Sequence, residues 1–336
     1  MTVSHSTEPD APATDVRMFP ALKVMERQTP PLKYGRPPYW RAPIVTIASE
    51  NVYVPTWNWE SRHEFPEGSP VTVLDVNAAY LSAMGGVTIA HSQLQHSGAF
   101  PQLPGKRDVQ PGYYLITVPY WSFGATIVHP LGDSTRVETE TQLWIAAPTL
   151  VLLLELADEG HLGWFEILDS YTAQVSADFR SWSTRLRSIR DECMDRIEMS
   201  QTETHRAQEV ARYDAFKQGY SAALSMMLTG EKCLTRRPDW AHTIYAQHAA
   251  STWRKAWRWT FTGRPLVAMG AVDEIAVLSG DVGDVITLPK PPFRYDASGR
   301  IPGALKPKKA TFVGERIPLS QSGDTVALVD GGDDIL

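Results

Sequence analysis

The sequence contains only two cysteines, Cys193 and Cys233, and they form no metal-binding motif. Two cysteines cannot build a disulfide framework, so we expect a protein of the reducing cytoplasm. The longest apolar run, around Ala146 to Leu154, is too short to cross a bilayer and contains Pro148. The polar N-terminus also lacks the apolar core of a signal peptide. These absences predict a cytoplasmic protein with no membrane partner.

Positive charge is not in excess, because 32 Lys and Arg stand against 38 Asp and Glu and give a formal net charge of -6. This balance argues against a surface that coats nucleic acid broadly, but it allows a local basic groove. The chain also lacks a glycine-rich phosphate-binding loop, and its nine histidines show neither an HExxH motif nor zinc-ligand spacing. P-loop chemistry and zinc catalysis are therefore disfavoured.

What the sequence does contain is enough apolar material for a full core: 43% of its 336 residues are hydrophobic, and 11 are Trp. A chain of this length is expected to form two or three subdomains. The first residues, to about position 17, are polar and contain proline, so we expect them to be disordered. The acidic C-terminal end is expected to be frayed.

The stretch Val71 to Met84 has the most informative pattern. Its β-branched apolar start predicts a buried strand that ends in Asp75, and Asn77 to Met84 then takes on helical spacing. A strand that delivers a carboxylate to its end can hold a metal ligand rigidly. The alternative is an ordinary Asp that caps the following helix.

Five further predictions concern the first two thirds of the chain. They are a hairpin over Ile44–Trp59, a strand over Tyr113–Pro119, its partner over Ala125–His129, a helix over Thr139–Glu159 and a strand over Phe165–Tyr171.

A long helical region then runs from Ser176 to about Leu228, with a break near Ser200 to Thr204. Apolar residues recur at helical spacing, and arginines including Arg190 occupy the opposite face, which predicts a helical hairpin with a basic face. A simply solvated face is the alternative.

A further helix is predicted over Ala241–Thr260. Two short strands, Leu266–Met269 and Ile275–Leu278, follow it as a hairpin with Asp273 and Glu274 at the tip.

Two strand-borne acids, Asp75 and Asp273, thus flank a basic helical hairpin that contains Lys217. A pair of carboxylates that binds two Mg²⁺ ions serves in-line phosphoryl transfer. Lys and Arg on a helix can hold a triphosphate. The pattern therefore favours nucleotidyl transfer.

These residues resemble the polymerase half of family B DNA polymerases, especially the small protein-primed kind. The family's first motif, D-x-x-S-L-Y-P-S, is similar to Asp75-Val-Asn-Ala-Ala-Tyr80-Leu-Ser82. Its second, K-x-x-x-N-S-x-Y-G, resembles KQGYSAALS at 217–225, and its third, Y-G-D-T-D-S, resembles MGAVDE at 269–274. Its D-x-x-x-x-x-G-x-L-K pattern resembles DASGRIPGALK at 296–306. The start of the helical hairpin, from Phe179 to Arg190, is similar to the start of the family's fingers.

The resemblance implies an α+β fold, with a polymerase-like palm built on an antiparallel sheet and helical-hairpin fingers. The implied domains are an N-terminal, partly disordered arm at 1–70, the palm at 71–175 and 233–318, the fingers at 176–232 and an acidic flexible tail at 319–336. A proofreading exonuclease domain is expected to be absent, because no D-x-E pattern precedes Asp75. Compact polymerases of this kind suit a phage or mobile element.

The resemblance also implies a role for each matching residue. Asp75 and Asp273 would bind two Mg²⁺ ions, with Glu274 as an extra acid, and Tyr80 would exclude ribonucleotides at the sugar 2′ position. Asn77, Arg190 and Lys217 would contact the incoming dNTP, and the DNA primer would lie near Lys306, Lys308 and Lys309. The implied partners are a DNA primer-template, dNTPs and, where protein primes synthesis, a priming or terminal protein.

The sequence departs from the family at four positions that bear on activity. Ser221, Leu224 and Ser225 replace the Asn, Tyr and Gly of the second motif, and Ala271 replaces the first Asp of the third. The three replacements in the second motif put base-pair checking and template contact in doubt, and they favour one alternative, an inactive polymerase-like protein that binds DNA or a replication partner. A second alternative is an RNase H-like nuclease, since that fold also begins with a strand-borne Asp.

Overall fold

The computed structural model describes residues 51–229 and 237–313. The predictions for residues before 51 and for the tail at 319–336 lie outside the described residues. The described strands are β1 Val52–Tyr53, β2 Trp57–Glu60, β3 Pro70–Val76, β4 Thr88–Ala90, β5 Leu94–His96, β6 Gly112–Thr117, β7 Gln142–Ala146, β8 Ile167–Ala173, β9 Ser176–Asp178, β10 Ala268–Ala271, β11 Glu274–Leu278 and β12 Leu305–Phe312. The described helices are α1 Ala79–Gly86, α2 Thr135–Thr139, α3 Ala147–Asp158, α4 Arg180–Glu198, α5 Glu203–Thr229, α6 Pro238–Thr260 and α7 Ser279–Ile286.

Five strands form a fully antiparallel sheet in the order β12-β3-β11-β10-β2, here called the central sheet. β3 lies between β12 and β11, and its residues Val71, Val73 and Leu74 are completely buried, as its apolar run predicts. The register places Asp75 opposite Glu274 of β11 and Lys306 of β12. A row of charged residues therefore crosses one end of the central sheet.

A second five-stranded sheet has the order β1-β7-β6-β8-β5, and only its β1–β7 pair is parallel. Helix α3 packs on this sheet through Leu150 and Leu153, which share an apolar cluster with Ile116 of β6 and Ile145 of β7. Mixed helices and antiparallel sheets agree with the predicted α+β class.

The predicted helical hairpin consists of α4 and α5, and the predicted break near Ser200 separates them. Trp182 and Leu186 of α4 pack with Phe216 and Leu224 of α5 in one apolar cluster. The faces are less basic than the sequence suggests, because Arg196 pairs with Glu192 of the same helix and Arg190 is buried.

Helix α6 connects the helical hairpin to the central sheet. Near its start, Trp240 and Ile244 join the apolar cluster of the hairpin. Further along, Trp253 packs with Leu74 and Ile275 of the central sheet. None of the helices in the described ranges has both the length and the apolar character that a bilayer crossing requires.

The hairpin predicted over Ile44–Trp59 is wrong for its described part. β1 pairs with β7 and β2 pairs with β10, so the two strands belong to different sheets. Residues 44–50 lie outside the described residues. The alternating pattern of this stretch indicated strands correctly at β1 and β2, although Val54 lies between them, and it contains no information about the pairing partner.

Two further predictions between residues 125 and 159 are wrong. Ala125–His129 is a turn in which Thr126 and Ile127 donate backbone hydrogen bonds to Phe123, and β6 pairs instead with β7 and β8. The segment predicted as one helix over Thr139–Glu159 contains β7, and α3 begins only at Ala147. Pro148 in the first turn explains this start, since proline is tolerated there and disrupts a helix interior.

Candidate active site

Asp75 and Asp273 meet at the end of the central sheet. The turn between β10 and β11 consists of Val272 and Asp273, and it lies beside the end of β3, where the Val76 backbone N–H donates to the Asp273 carbonyl oxygen at 3.1 Å. The two carboxyl groups are neighbours, since the Asp75 charge is among the causes that raise the pKa of Asp273 after burial. Glu274, predicted at the tip with Asp273, is instead the first residue of β11 and pairs with Asp75.

Both aspartates bind a proton more tightly than a solvent-exposed Asp does. Burial and then the neighbouring Asp75 charge raise the pKa of Asp273 from 3.8 to about 7. Burial also raises the pKa of Asp75, although Lys306 and Lys308 oppose this effect. Two adjacent carboxyl groups that resist joint ionisation form a site where a divalent cation would supply the missing positive charge.

Two lysines of β12 approach these acids. Lys306 Nζ lies 3.6 Å from Asp75 Oδ2. Lys308 lies at a bulge in β12, and its ammonium group donates a hydrogen bond to Glu274 Oε1 at 2.5 Å. The Glu274 side chain is completely buried. Lys309 is exposed on the same strand. Glu274 would have to release Lys308 to serve as a metal ligand, so that role stays a prediction.

The Lys308–Glu274 pair yields a stability prediction. Lys308→Met should lower the free energy of unfolding by about 1–3 kcal/mol, because a fully buried carboxylate loses its cation. Urea unfolding of Lys308→Met, Glu274→Gln and the double variant measures the coupling. The double variant should be more stable than Lys308→Met alone, and additive losses would show that the pair contributes no coupling energy.

A hydrogen-bonded cluster behind the acids, here called the Asn77 cluster, consists of Asn77, Arg190 and the loop 299–301. The Asn77 side-chain amide donates to the carbonyl oxygens of Gly299 and Ile301. The Arg190 guanidinium donates to the carbonyl oxygens of Gly299 and Arg300 and to Asn77 Oδ1. Arg190 is only 1% exposed, so contact with an incoming phosphate would require it to leave the loop.

The chain turns sharply after Asn77. Ala78 has φ 46°, and among the described residues it is the only one other than glycine with a positive φ. Such backbone strain persists only where surrounding contacts enforce it, and the Asn77 cluster provides them. The turn sends the chain from β3 directly into α1, which carries Tyr80. It therefore places Tyr80 one short turn from Asp75.

The other predicted site residues divide into two groups. Tyr80 lies near the acids, since the Asp273 charge is among the causes that raise its pKa after burial and Tyr245. Lys217 lies on α5 with half of its side chain exposed, 4.0 Å from Asp214, and the structure records no contact between it and the acids. Its role as a phosphate ligand stays a prediction.

Tyr220 and Tyr245 also lie close to the predicted site residues, although the sequence patterns did not single them out. Tyr220 lies on α5 close enough to Arg190 and Asp75 for both charges to act on its pKa, which burial raises to about 12. Tyr245 of α6 packs against Tyr80. The position of Tyr220 one helical turn after Lys217, within the second motif, could have indicated that it lies near the site. No local signal marks Tyr245.

The raised pKa of Asp273 gives a pH prediction for the metal-free protein. The folded state holds this proton up to about pH 7, whereas the unfolded chain releases it near 3.8. The contribution of Asp273 to the free energy of unfolding should therefore fall as the pH rises between these values. Urea unfolding in EDTA at pH 5 and pH 8 should show a smaller fall for Asp273→Asn than for the wild type. An equal fall in both proteins would contradict the pKa shift.

The ligand atoms that these residues supply determine whether Mg²⁺ could bind at the site. In the described ranges no cluster of three or more His, Cys, Asp and Glu side chains could hold a metal ion. Magnesium, however, is commonly held by one or two carboxylates together with substrate phosphates and water. Asp75 and Asp273 supply such a carboxylate pair, so these residues fit a Mg²⁺ site that substrate completes.

Comparison with known proteins supports a polymerase-like fold. Neither the protein-family models nor the curated proteins match the sequence. Phi29 DNA polymerase complexed with single-stranded DNA is similar, with a TM-score of 0.52 and 13% identity over 86% of this chain and 51% of that chain. Its complex with primer-template DNA and incoming nucleotides gives a TM-score of 0.49 and 12% identity over 86% of this chain and 52% of that chain.

An identity this low supports similarity of fold alone, and the chain spans about half the length of the polymerase it resembles. The proximity of Asp75 and Asp273 comes from the structure of this chain itself. The chain therefore has a fold similar to that of a DNA polymerase, with two neighbouring carboxyl groups at the end of its central sheet.

Proposed function

We propose that this chain is a reduced, family B-like DNA polymerase that adds dNTPs to a primer by two-metal phosphoryl transfer. The proposal rests mainly on one observation: Asp75 and Asp273, far apart in the sequence, come close together at the end of the central sheet, where the residue after Asp75 donates a backbone hydrogen bond to Asp273. The similarity of fold to a DNA polymerase supports it. In this proposal β3, β10, β11 and β12 of the central sheet belong to the palm, at 71–175 and 233–318, while the edge strand β2 belongs to the arm at 1–70. The helical hairpin is the fingers, at 176–232.

Asp75 and Asp273 would hold the two Mg²⁺ ions. Bound magnesium supplies Lewis-acid activation of the attacking oxygen and neutralises charge on the leaving pyrophosphate. The residues of the chain hold the carboxylates in place: the antiparallel ladder fixes Asp75 within β3, and the Val76 N–H fixes the turn that carries Asp273. Such preorganisation is what positioning catalysis requires.

The substrates would lie around this site. The backbone after Asp75, shaped by the Asn77 cluster, would receive the triphosphate, and Tyr80 would exclude a 2′-hydroxyl. Lys306, Lys308 and Lys309 of β12 would lie against the DNA primer, since lysines bind phosphates independently of sequence. The proposed partners are a DNA primer-template, dNTPs and, where protein primes synthesis, a priming or terminal protein.

Primer extension tests the proposal. The purified full chain is mixed with a labelled primer-template, the four dNTPs and Mg²⁺, and the products are separated by length. Extension that requires Mg²⁺, dNTPs and both aspartates supports a polymerase. Shortening of the DNA instead would support a nuclease, and intact DNA would refute polymerisation on this substrate.

Lys217 offers a specific prediction for the proposed substrate site. Lys217→Ala should raise the KM for dNTP by about 10-fold, because a charge-assisted contact with phosphate is lost. The kcat should change less than the KM if Lys217 binds the ground state and transition state alike. Steady-state primer extension measures the KM for dNTP in the wild type and in Lys217→Ala. Lys255→Ala, on α6, is the control. An unaltered KM would remove Lys217 from the site.

A second candidate is a polymerase-like protein that binds DNA without extending it. The Lys306–Asp75 ion pair favours it, because an ammonium group then balances the carboxylate on which a metal ion would depend. DNA binding is expected here too, but Mg²⁺ would not alter it. Fluorescence anisotropy with a labelled primer-template, in Mg²⁺ and in EDTA, distinguishes this candidate when extension fails.

A further inference from the structure

Tyr80 meets two aromatic rings, and both belong to α6. Its ring centroid lies 5.3 Å from that of Tyr245, with an interplanar angle of 70°. It lies 5.4 Å from the ring centroid of His248, with an angle of 80°. Both are edge-to-face arrangements, the geometry that aromatic pairs favour. α6 therefore fixes where the Tyr80 ring stands relative to the acids.

Tyr245 and His248 are well suited to hold a neighbouring ring in place. They are three residues apart and so lie on one face of α6. The Tyr245 side chain is hydrogen-bonded to Ser225 of α5, which fastens it to the helical hairpin. His248 is buried and 2% exposed, and its burial keeps it neutral, with a pKa lowered to about 3. The contact with Tyr80 is therefore one of uncharged rings.

The helix behind these rings is held firmly. Trp253, two turns along α6, is completely buried against the central sheet with Leu74 and Ile275. Movement of Tyr245 or His248 away from Tyr80 would disturb this packing, since close-packed interiors resist small displacements. The position of Tyr80 is thus tied to the same sheet that carries Asp75.

We propose that Tyr245 and His248 are positioning residues for sugar selection, which hold the Tyr80 ring where it excludes a 2′-hydroxyl. This inference rests on the proposed polymerase function. It also gives a role to one departure in the second motif: Ser225, at the family's glycine position, provides the side chain that fastens Tyr245. Neither Tyr245 nor His248 has a sequence motif that would reveal this role.

The test measures the ratio of kcat/KM for dNTP to that for the matching rNTP in primer extension. Tyr245→Leu and His248→Leu should each lower this ratio by roughly 2- to 10-fold, the change that loss of one aromatic contact provides. Tyr80→Val should lower it by about 100-fold. A merely destabilised protein would lose dNTP and rNTP activity together and leave the ratio unchanged.

Two controls complete the design. Tyr114→Leu removes a buried tyrosine from the second sheet and should leave the ratio at the wild-type value. Tyr245→Phe and Ser225→Ala remove the hydrogen bond but keep the ring, so they remain informative if Tyr245→Leu does not fold. Each should lower the ratio by a smaller factor than Tyr245→Leu.

The outcomes separate the two proposals. Absence of extension by the wild type would refute the proposed function, and with it this inference. Extension with a ratio that Tyr80→Val changes, but that no α6 variant or Ser225→Ala changes, would refute only the positioning role. A ratio insensitive to Tyr80→Val would also overturn the inference, because the ring being positioned would not select the sugar.

Discussion

Asp273→Asn should abolish primer extension, with a fall in kcat/KM of about 1,000-fold or more, while the protein stays folded. The amide cannot neutralise a metal ion, and Asp75 alone would be left to hold it. Asp75→Asn should have the same effect. Extension kinetics in Mg²⁺ with gel separation of the products measure both losses.

A measurement of the stability of Asp273→Asn distinguishes a loss of metal binding from a loss of folding. In the metal-free protein burial and then the neighbouring Asp75 charge raise the pKa of Asp273, so its ionised form opposes folding. Asp273→Asn should therefore be at least as stable as the wild type at pH 8 in EDTA. Asp284→Asn, an exposed carboxylate paired with Arg264, is the control and should extend primers normally. Retained extension in Asp273→Asn would contradict the assignment of the acid pair.

Arg190→Met should produce the largest loss of stability among the substitutions considered, about 3–5 kcal/mol in the free energy of unfolding. Methionine fills similar space but donates no hydrogen bonds, so the carbonyl oxygens of Gly299 and Arg300 lose a charged donor. The Gly299 oxygen keeps the Asn77 amide as a donor, whereas the Arg300 oxygen loses the charged one. A buried acceptor left unsatisfied costs about 1–3 kcal/mol. Asn77 Oδ1 would lose its contact with the guanidinium as well.

Urea unfolding followed by tryptophan fluorescence measures this loss. Arg196→Met is the matched control on the same helix, because Arg196 forms an exposed pair with Glu192 and should cost less than about 1 kcal/mol. Equal destabilisation by the two substitutions would show that the Asn77 cluster does not hold the helical hairpin to the sheet. A stable Arg190→Met variant would show the same.

The sequence was sufficient where local pattern and burial agree. The apolar run of β3 predicted a buried strand that carries Asp75 near its end, and the helical periodicity predicted the α4–α5 hairpin; the structure confirms both. The predicted start of the hairpin at Ser176 is wrong, because Ser176–Asp178 form β9 and α4 begins at Arg180. A central strand has few alternatives once its residues are apolar on both faces. These elements needed no knowledge of their distant partners.

The predictions were wrong where the outcome depended on partners far along the chain. The strand at Val52 pairs with β7, and nothing in its own residues specifies that partner. Pro148 is a local signal for the start of α3, because proline is common in the first turn of a helix. The apolar residues on both sides of Pro148 obscured this signal. Ala125–His129 has strand-like composition but is folded as a turn.

The candidate site shows the same division between local and long-range information. Arg190 stood out by its place in the fingers pattern, but only the fold reveals that its guanidinium lies buried against the loop 299–301. The sequence placed Glu274 in the turn. In the structure it is a residue of β11 that pairs with Asp75, and its side chain accepts a hydrogen bond from Lys308. Long side chains can form hydrogen bonds with elements that are distant in the sequence, and the spacing of residues along the chain does not reveal these contacts.

The direct test of the account is whether Asp75 and Asp273 bind divalent metal together. Mn²⁺ binding is measured by electron paramagnetic resonance on the full chain with a dideoxy-terminated primer-template and the next dNTP. We expect tight Mn²⁺ binding that Mg²⁺ displaces and that Asp75→Asn and Asp273→Asn each weaken by at least about 10-fold. Equal binding by the wild type and the double variant would contradict it.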